Sequence, residues 1–304
     1  MTAGAFFLQQ LLNGLTLGSI YALIALGYTM VYGIIQLINF AHGEIFMVGA
    51  YAGMTVLLLA GQAASGPHGA VWLLAALAAS AVVCCLIGLS VERLAYRPLR
   101  AAPKLSVLIT AIGISFFLQN VVMLGFGAED RYVPPVLSAG PWGRGAVTVT
   151  PLQVIIFGVS LALMVGLQGI VHGTRLGRSM RATAQDPLAA RLMGISVDRV
   201  IACTFAIGSA LAGAGGLLFG AYYSAINFHD GYLTGLKAFT AAVLGGIGNI
   251  PGAVVGGLLL GLLEGLGAGY LSSQWKNVIA FAVLVLVLLL RPHGLLGERV
   301  ADRA

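Results

Sequence analysis

Long stretches of this chain carry almost no charge, and that decides the solvent in which it folds. Apolar runs occupy about residues 6–29, 31–60, 70–91, 105–126, 151–172, 200–223, 237–271 and 276–290. Charged residues make up 9% of the sequence, against about 25% in soluble domains, so a soluble fold would lack the charge to cover its surface. A spanning helix needs about 20 mainly apolar residues, and most of the runs reach that length. The 304 residues therefore read as one all-α polytopic membrane domain over 1–304, with about eight transmembrane helices, some broken or re-entrant. The first run, Phe6 to Tyr28, has no basic segment before it and leads into further apolar sequence, the pattern of a retained helix. Cys84, Cys85 and Cys203 lie inside apolar runs without metal spacing and read as small buried hydrophobes.

Sidedness follows from the basic residues. Three clusters stand out: Arg93, Arg97, Arg100 and Lys104; Arg175, Arg178, Arg181, Arg191 and Arg199; and Arg291, Arg299 and Arg303. Loops rich in Lys and Arg face the cytoplasm, and two runs separate the first two clusters, as a shared side requires. Three runs separate the second from the third, so parity demands that 237–271 enter and return as a hairpin, broken at Gly245-Gly246-Ile247-Gly248-Asn249-Ile250-Pro251-Gly252. That break reads either as a cytoplasmic turn or as part of a pathway, since open backbone at membrane depth survives only against protein or a water-lined path. The C-terminus is then cytoplasmic. Three crossings before Arg93 place the N-terminus outside, in the periplasm.

Gly257, Gly261, Gly265 and Gly269 recur every fourth residue, and Gly14, Gly18 and Ala22 form a shorter stripe; both mark faces where another backbone can approach closely. Ionisable residues at membrane depth are costly and are functional candidates. Here they are His42, Glu44 and Glu264. His42 and Glu44 sit beside Asn39 and Gly43, where an unwound turn could face both inward, as a polar pathway lining or as a knot tying helices. Glu264 shares its helix with the glycine stripe and is expected to be paired. Gln119, Asn120 and Asn249 are further candidates for the pathway or for interhelical hydrogen bonds. Outer loops are expected at Gly127 to Thr150 and at Tyr222 to Leu236.

The longest charged segment, about 174–200, contains a delimited short helix between Ala184 and Ile195. Asp186 suits its N-cap, Pro187 its first position and Gly194 the left-handed position past its end. Leu188, Leu192 and Met193 would cluster on it, flanked by Arg191 and Arg181, as a knob for a partner's groove or as a helix lying on the membrane surface. This stretch resembles the coupling loop of ABC-importer permeases. Nearly the whole chain resembles the permeases of high-affinity branched-chain amino-acid importers. The carrying segments run from Asn13 to Gly33, Ile38 to Glu44, Glu92 to Pro98, Lys237 to Gly248 and Arg291 to Gly297.

The resemblance implies a permease subunit forming half of a translocation pathway, paired with a second, related permease. It also implies two ATPase subunits, a periplasmic binding protein that delivers substrate, and residence in a bacterial inner membrane. It places Asp186, Pro187, Leu188, Arg191, Leu192 and Gly194 in the coupling helix. The chain cannot hydrolyse ATP itself: none of its three lysines, Lys104, Lys237 and Lys276, follows a glycine as a P-loop requires. Neither a His-Glu-x-x-His nor a Gly-x-Ser-x-Gly motif is present, so no enzyme activity, cofactor or nucleic-acid partner is expected. Two other readings stay open: a gradient-driven secondary transporter relaying protons through His42 and Glu44, and an ABC permease for urea or short amides.

Overall fold

The structure, a computed structural model, describes residues 2–66, 68–100, 102–136, 140, 142 and 147–297. Its helices in chain order are α1 (Ala3–Ile35), α2 (His42–Ala60), α3 (Gly69–Val91), α4 (Lys104–Phe126), α5 (Pro151–Gly173), α6 (Arg175–Gln185), α7 (Pro187–Leu192), α8 (Val197–Tyr223), α9 (Asp230–Gly245), α10 (Ile250–Tyr270) and α11 (Lys276–Leu290). Two short antiparallel strands, β1 (Arg131–Tyr132) and β2 (Ala225–Ile226), pair between them. Among the described residues, eight segments are long and apolar enough to cross a membrane. Left out are the short α6 and α7 and the apolar α9, whose 16 residues span about 24 Å, less than the ~30 Å hydrocarbon layer.

Helices α1, α2 and α8 form the centre. Every residue of α1 from Thr16 to Val31 is buried. By contrast α11 buries only Ala280, and α3, α4 and α5 each turn a broad apolar face outward. The two small-residue stripes turn out to be the two sides of one seam. A Cβ on Gly14 would lie 2.9 Å from the Gly261 carbonyl oxygen, and one on Gly18 would lie 2.8 Å from Leu258 Cα. From the other side, a Cβ on Gly265 would lie 2.8 Å from Gly14 Cα. The two backbones thus touch, with no room for a side chain between them.

The boundary expected near residue 30 is corrected: α1 continues through it to Ile35. Nothing between Tyr28 and Ile35 breaks a helix. The break comes at Gln36, in the left-handed conformation at φ 53°, and is completed by Asn39, whose Oδ1 accepts the Ala41 N–H at 3.1 Å. The expected outer loop at 222–236 is likewise shortened. Helix α8 runs to Tyr223 and α9 begins at Asp230, leaving 224–229 as the connection.

The basic clusters gather at one end, hereafter the basic end. Arg97 lies 3.0 Å from Asp198 at the start of α8, and Arg100 bridges Asp198 and Glu92. Val31 of α1, Tyr96, Val107 of α4, Ala190 of α7 and Val197 of α8 pack in one apolar cluster there. The α9–α10 connection reaches the same end, since a Cβ on Gly33 would lie 3.5 Å from Gly248 Cα. The chain after α11 adds to it, Leu295 and Leu296 N–H donating to Leu244 and Gly245 carbonyls, each at 2.9 Å. Of the two readings of the glycine-rich break, the turn is what forms: Gly246 and Gly248 adopt φ of 108° and 95°, conformations that suit glycine. Arg299 and Arg303 lie outside the described residues, as does Arg144.

Because the α1–α10 seam leaves no space, Gly18→Leu is expected to destabilise the protein by more than the ~1–3 kcal/mol typical of overpacking. Gly4→Leu, at a position with nothing within 4 Å, is expected to be silent. Thermal melting in detergent, followed by the fraction remaining monodisperse, distinguishes the two.

Candidate functional site

Four of the six polar residues proposed for a pathway come together around the start of α2. Asn39, His42 and Glu44 are 2%, 1% and 1% exposed, so the unwound turn does bring the latter two inward, though toward different neighbours. The His42 ring packs on Gly27, where a Cβ would collide with it, and lies edge-on to Tyr28 at 4.7 Å. Glu44 turns toward α4 and α9: its Oε1 accepts from the Ser115 hydroxyl at 3.2 Å, and its Oε2 lies against Gly231 in the first turn of α9. Asn39 Oδ1 also accepts from the Tyr96 hydroxyl at 3.0 Å. Gln119, one turn beyond Ser115 on α4, has its Nε2 2.7 Å from His229 Nδ1. Three buried atoms in this group, Asn39 Nδ2, His42 Nε2 and Glu44 Oε2, have no hydrogen-bond partner among the described residues. Buried polar groups are ordinarily satisfied, so these mark capacity for another molecule or for motion.

Asn120 and Asn249 do not join the group. The Asn120 side chain lies on the exposed face of α4 and donates to its own helix, at Phe116 O, 2.7 Å away. Asn249 is the N-cap of α10, accepting from Gly252 N–H at 3.1 Å and donating to Leu296 O at 2.7 Å. Its position serves the turn at the basic end.

Glu264 is paired, as its place on the glycine-bearing helix led one to expect, and its counter-ion is Lys237 of α9. Lys237 Nζ lies 2.9 Å from Glu264 Oε1, and the Tyr21 hydroxyl donates to Oε2 at 2.9 Å. This triad joins α9, α10 and α1 inside the protein. Sequence reading passed over Lys237 because 27 residues separate it from its partner; the available signal was a lone lysine within an apolar run, which must find an anion. His229 lies within the outer loop expected at Tyr222 to Leu236, and its bond to Gln119 could not be read from spacing.

At the basic end, α7 has the construction its sequence indicates. Asp186 Oδ1 accepts the N–H groups of Leu188 and Ala189 at 2.8 and 3.0 Å, and Pro187 is the first helical residue. Gly194 has φ 83°. Its N–H donates to Arg191 O, and the Ile195 N–H donates to Ala190 O, both at 3.0 Å, which is the Schellman closure of a helix C-terminus. Ala190 is buried, while Leu188, Leu192 and Met193 are 69%, 83% and 82% exposed. Arg191 is exposed as well, 3.8 Å from Asp198. Before α7 stands α6, which sequence reading did not delimit, although Leu176, Met180 and Thr183 recur at helical spacing.

With this geometry established, comparison with known proteins gives a clear result. The family described as the permease component of the branched-chain amino acid transport system matches residues 10–288. The chain belongs to that permease family. It is 50% identical over 98% of both chains to the high-affinity branched-chain amino acid transport system permease protein BraD of Pseudomonas aeruginosa. It is 48% identical, again over 98% of both, to the corresponding permease protein LivH of Escherichia coli K12. A more distant similarity, 26% identity over 93% of this chain and 86% of the other, connects it to the ribose import permease protein RbsC of Escherichia coli. No solved structure matches it. Membership makes this chain a membrane transport permease, not an enzyme, and the eight apolar spans agree with that class.

The Lys237–Glu264 pair supplies a test of the packing around it. Lys237→Met strands a buried carboxylate and is expected to cost about 3–5 kcal/mol. The double variant Lys237→Met, Glu264→Gln, which removes both charges, is expected to recover most of that loss in a thermal melt.

Proposed function

We propose that this chain is one transmembrane half of an ATP-driven importer, forming with a second, related permease the path for branched-chain or other small amino acids delivered by a periplasmic binding protein. Two ATPase subunits dock at the basic end. That end faces the cytoplasm, so the C-terminus is cytoplasmic and the N-terminus periplasmic, in a bacterial inner membrane. The family and the relatives' names support the cargo class. The observation that carries the coupling assignment is α7: a rigidly capped helix that buries Ala190 and presents Leu188, Leu192 and Met193 to solvent.

A helix of this build suits docking because its ends are fixed independently of any partner, so little ordering remains to be done on binding. Its apolar residues would occupy a groove in an ATPase, with Arg191 at the rim. Movement of the groove would be passed through Ala190 and Ile195 to the cluster that holds Val31, Tyr96 and Val197. From there it would reach the turn preceding α2, because Tyr96 is hydrogen-bonded to Asn39. The uncommitted atoms of Asn39, His42 and Glu44 are then those available to the polar ends of a passing zwitterion.

The experiment is to express Leu192→Asp with the partner subunits and measure both ATPase retention on purification and ATP-driven uptake in proteoliposomes. Retention is expected to fall at least about tenfold, as for loss of a buried interface anchor, and uptake with it, while the permease still folds. Retention and uptake equal to the parent would remove α7 from the coupling role.

A further inference from the structure

Between α6 and the helical core lies a cavity of about 90 Å³, lined by Thr29 of α1, Val171 of α5, Met180, Arg181 and Ala184 of α6, and Ile250 at the α9–α10 turn. It is amphipathic. Met30, Ile34, Val171, Met180 and Ile250 make an apolar lining, with the exposed Arg181 at one side. The Thr29 hydroxyl in its wall is buried and without a partner among the described residues. Arg181 is held in place by donating through Nη1 to the Val171 carbonyl.

Size and charge select an occupant. An apolar cavity of about 150 Å³ accepts a six-carbon ring, so this one suits an aliphatic group of about four carbons, with the rest of the molecule at its open side. A guanidinium next to such a space favours a carboxylate. We propose that the cavity binds a short branched aliphatic acid from the basic-end side, and that this acid is the transported amino acid itself. The inference rests on the importer reading for its cargo and for the sidedness of the basic end.

The location gives binding a consequence. Helix α6 leads through Asp186 directly into α7, and the cavity is bordered by α6, by α1 and by the turn between α9 and α10. An occupant fixes α6 against these elements and favours the one arrangement of the coupling segment that encloses it. Cargo accumulated on the basic-end side therefore brakes ATP turnover.

The test uses the complete transporter, with ATPases and binding protein, in nanodiscs, the binding protein being saturated with micromolar leucine throughout. Raising leucine into the millimolar range is expected to lower ATP turnover. Leucinol, which lacks the carboxylate, and glycine, which lacks the aliphatic group, are expected to leave it unchanged. Ala184→Trp, which fills the space, and Arg181→Gln are each expected to raise the half-inhibiting leucine concentration about tenfold or more, a loss of ~1.4 kcal/mol in binding. Turnover indifferent to millimolar leucine, or inhibited equally in Arg181→Gln and the parent, overturns the inference. A parent complex that takes up no leucine when reconstituted in proteoliposomes would instead overturn the importer reading beneath it.

Discussion

The contact on which the rest of this fold depends is backbone against backbone, where α1 and α10 cross at Gly14, Gly18, Gly261 and Gly265. In a bilayer the hydrophobic effect does not drive apolar helices together, so close packing and interhelical hydrogen bonds must. Small residues let the helix axes approach, and that approach places Tyr21 within reach of Glu264. Glu264 in turn receives Lys237, and α9 is thereby fixed to both helices. A bulky residue in the seam would displace the triad along with the helices.

The centre of the structure is held by packing, to which the elements around α9 add polar contacts. Along α1 an unbroken stretch is buried, and its neighbours α2 and α8 meet it through Gly27 and Gly208. The short helix α9 buries Ala238, Ala241 and Ala242 in the same core, and it and the segment before it add polar contacts. His229 meets Gln119, Asn227 meets Asp130, and Lys237 meets Glu264. Glu44 approaches the first turn of α9 with an oxygen that has no hydrogen-bond partner among the described residues. Polar contacts of this kind can be exchanged one for another at smaller cost than an apolar core can be repacked. In the importer reading this is the part of the molecule suited to change between states, while α7 and the cluster around Tyr96 receive the impulse.

Features that depend on local chemistry were legible in the sequence. Asp186, Pro187 and Gly194 specify a short helix with its start and stop, and the glycines at 245–252 specify a turn, because caps and left-handed turns are set by residues within a few positions. The glycine stripes announced close-packed faces, yet nothing in their spacing said that they face each other. The break after α1 was misplaced because periodicity has no meaning in a run that is apolar all round; Gln36 and Asn39 decide it through conformation and a single side-chain bond. The pairing of Lys237 with Glu264, the bond between Gln119 and His229 and the outward placement of Asn120 all depend on how helices are rotated against one another. That rotation is a property of the packed bundle and not of any one helix.

The central claim is that this chain is half of a larger machine whose engine lies in other subunits, and composition of the native complex tests it most directly. The tagged chain is to be purified from its own membranes in mild detergent and the co-purifying chains identified and counted. The account predicts two ATPase subunits and one related permease for each copy of this chain. Recovery of this chain alone, still able to move a labelled amino acid down an imposed gradient in liposomes, would contradict it.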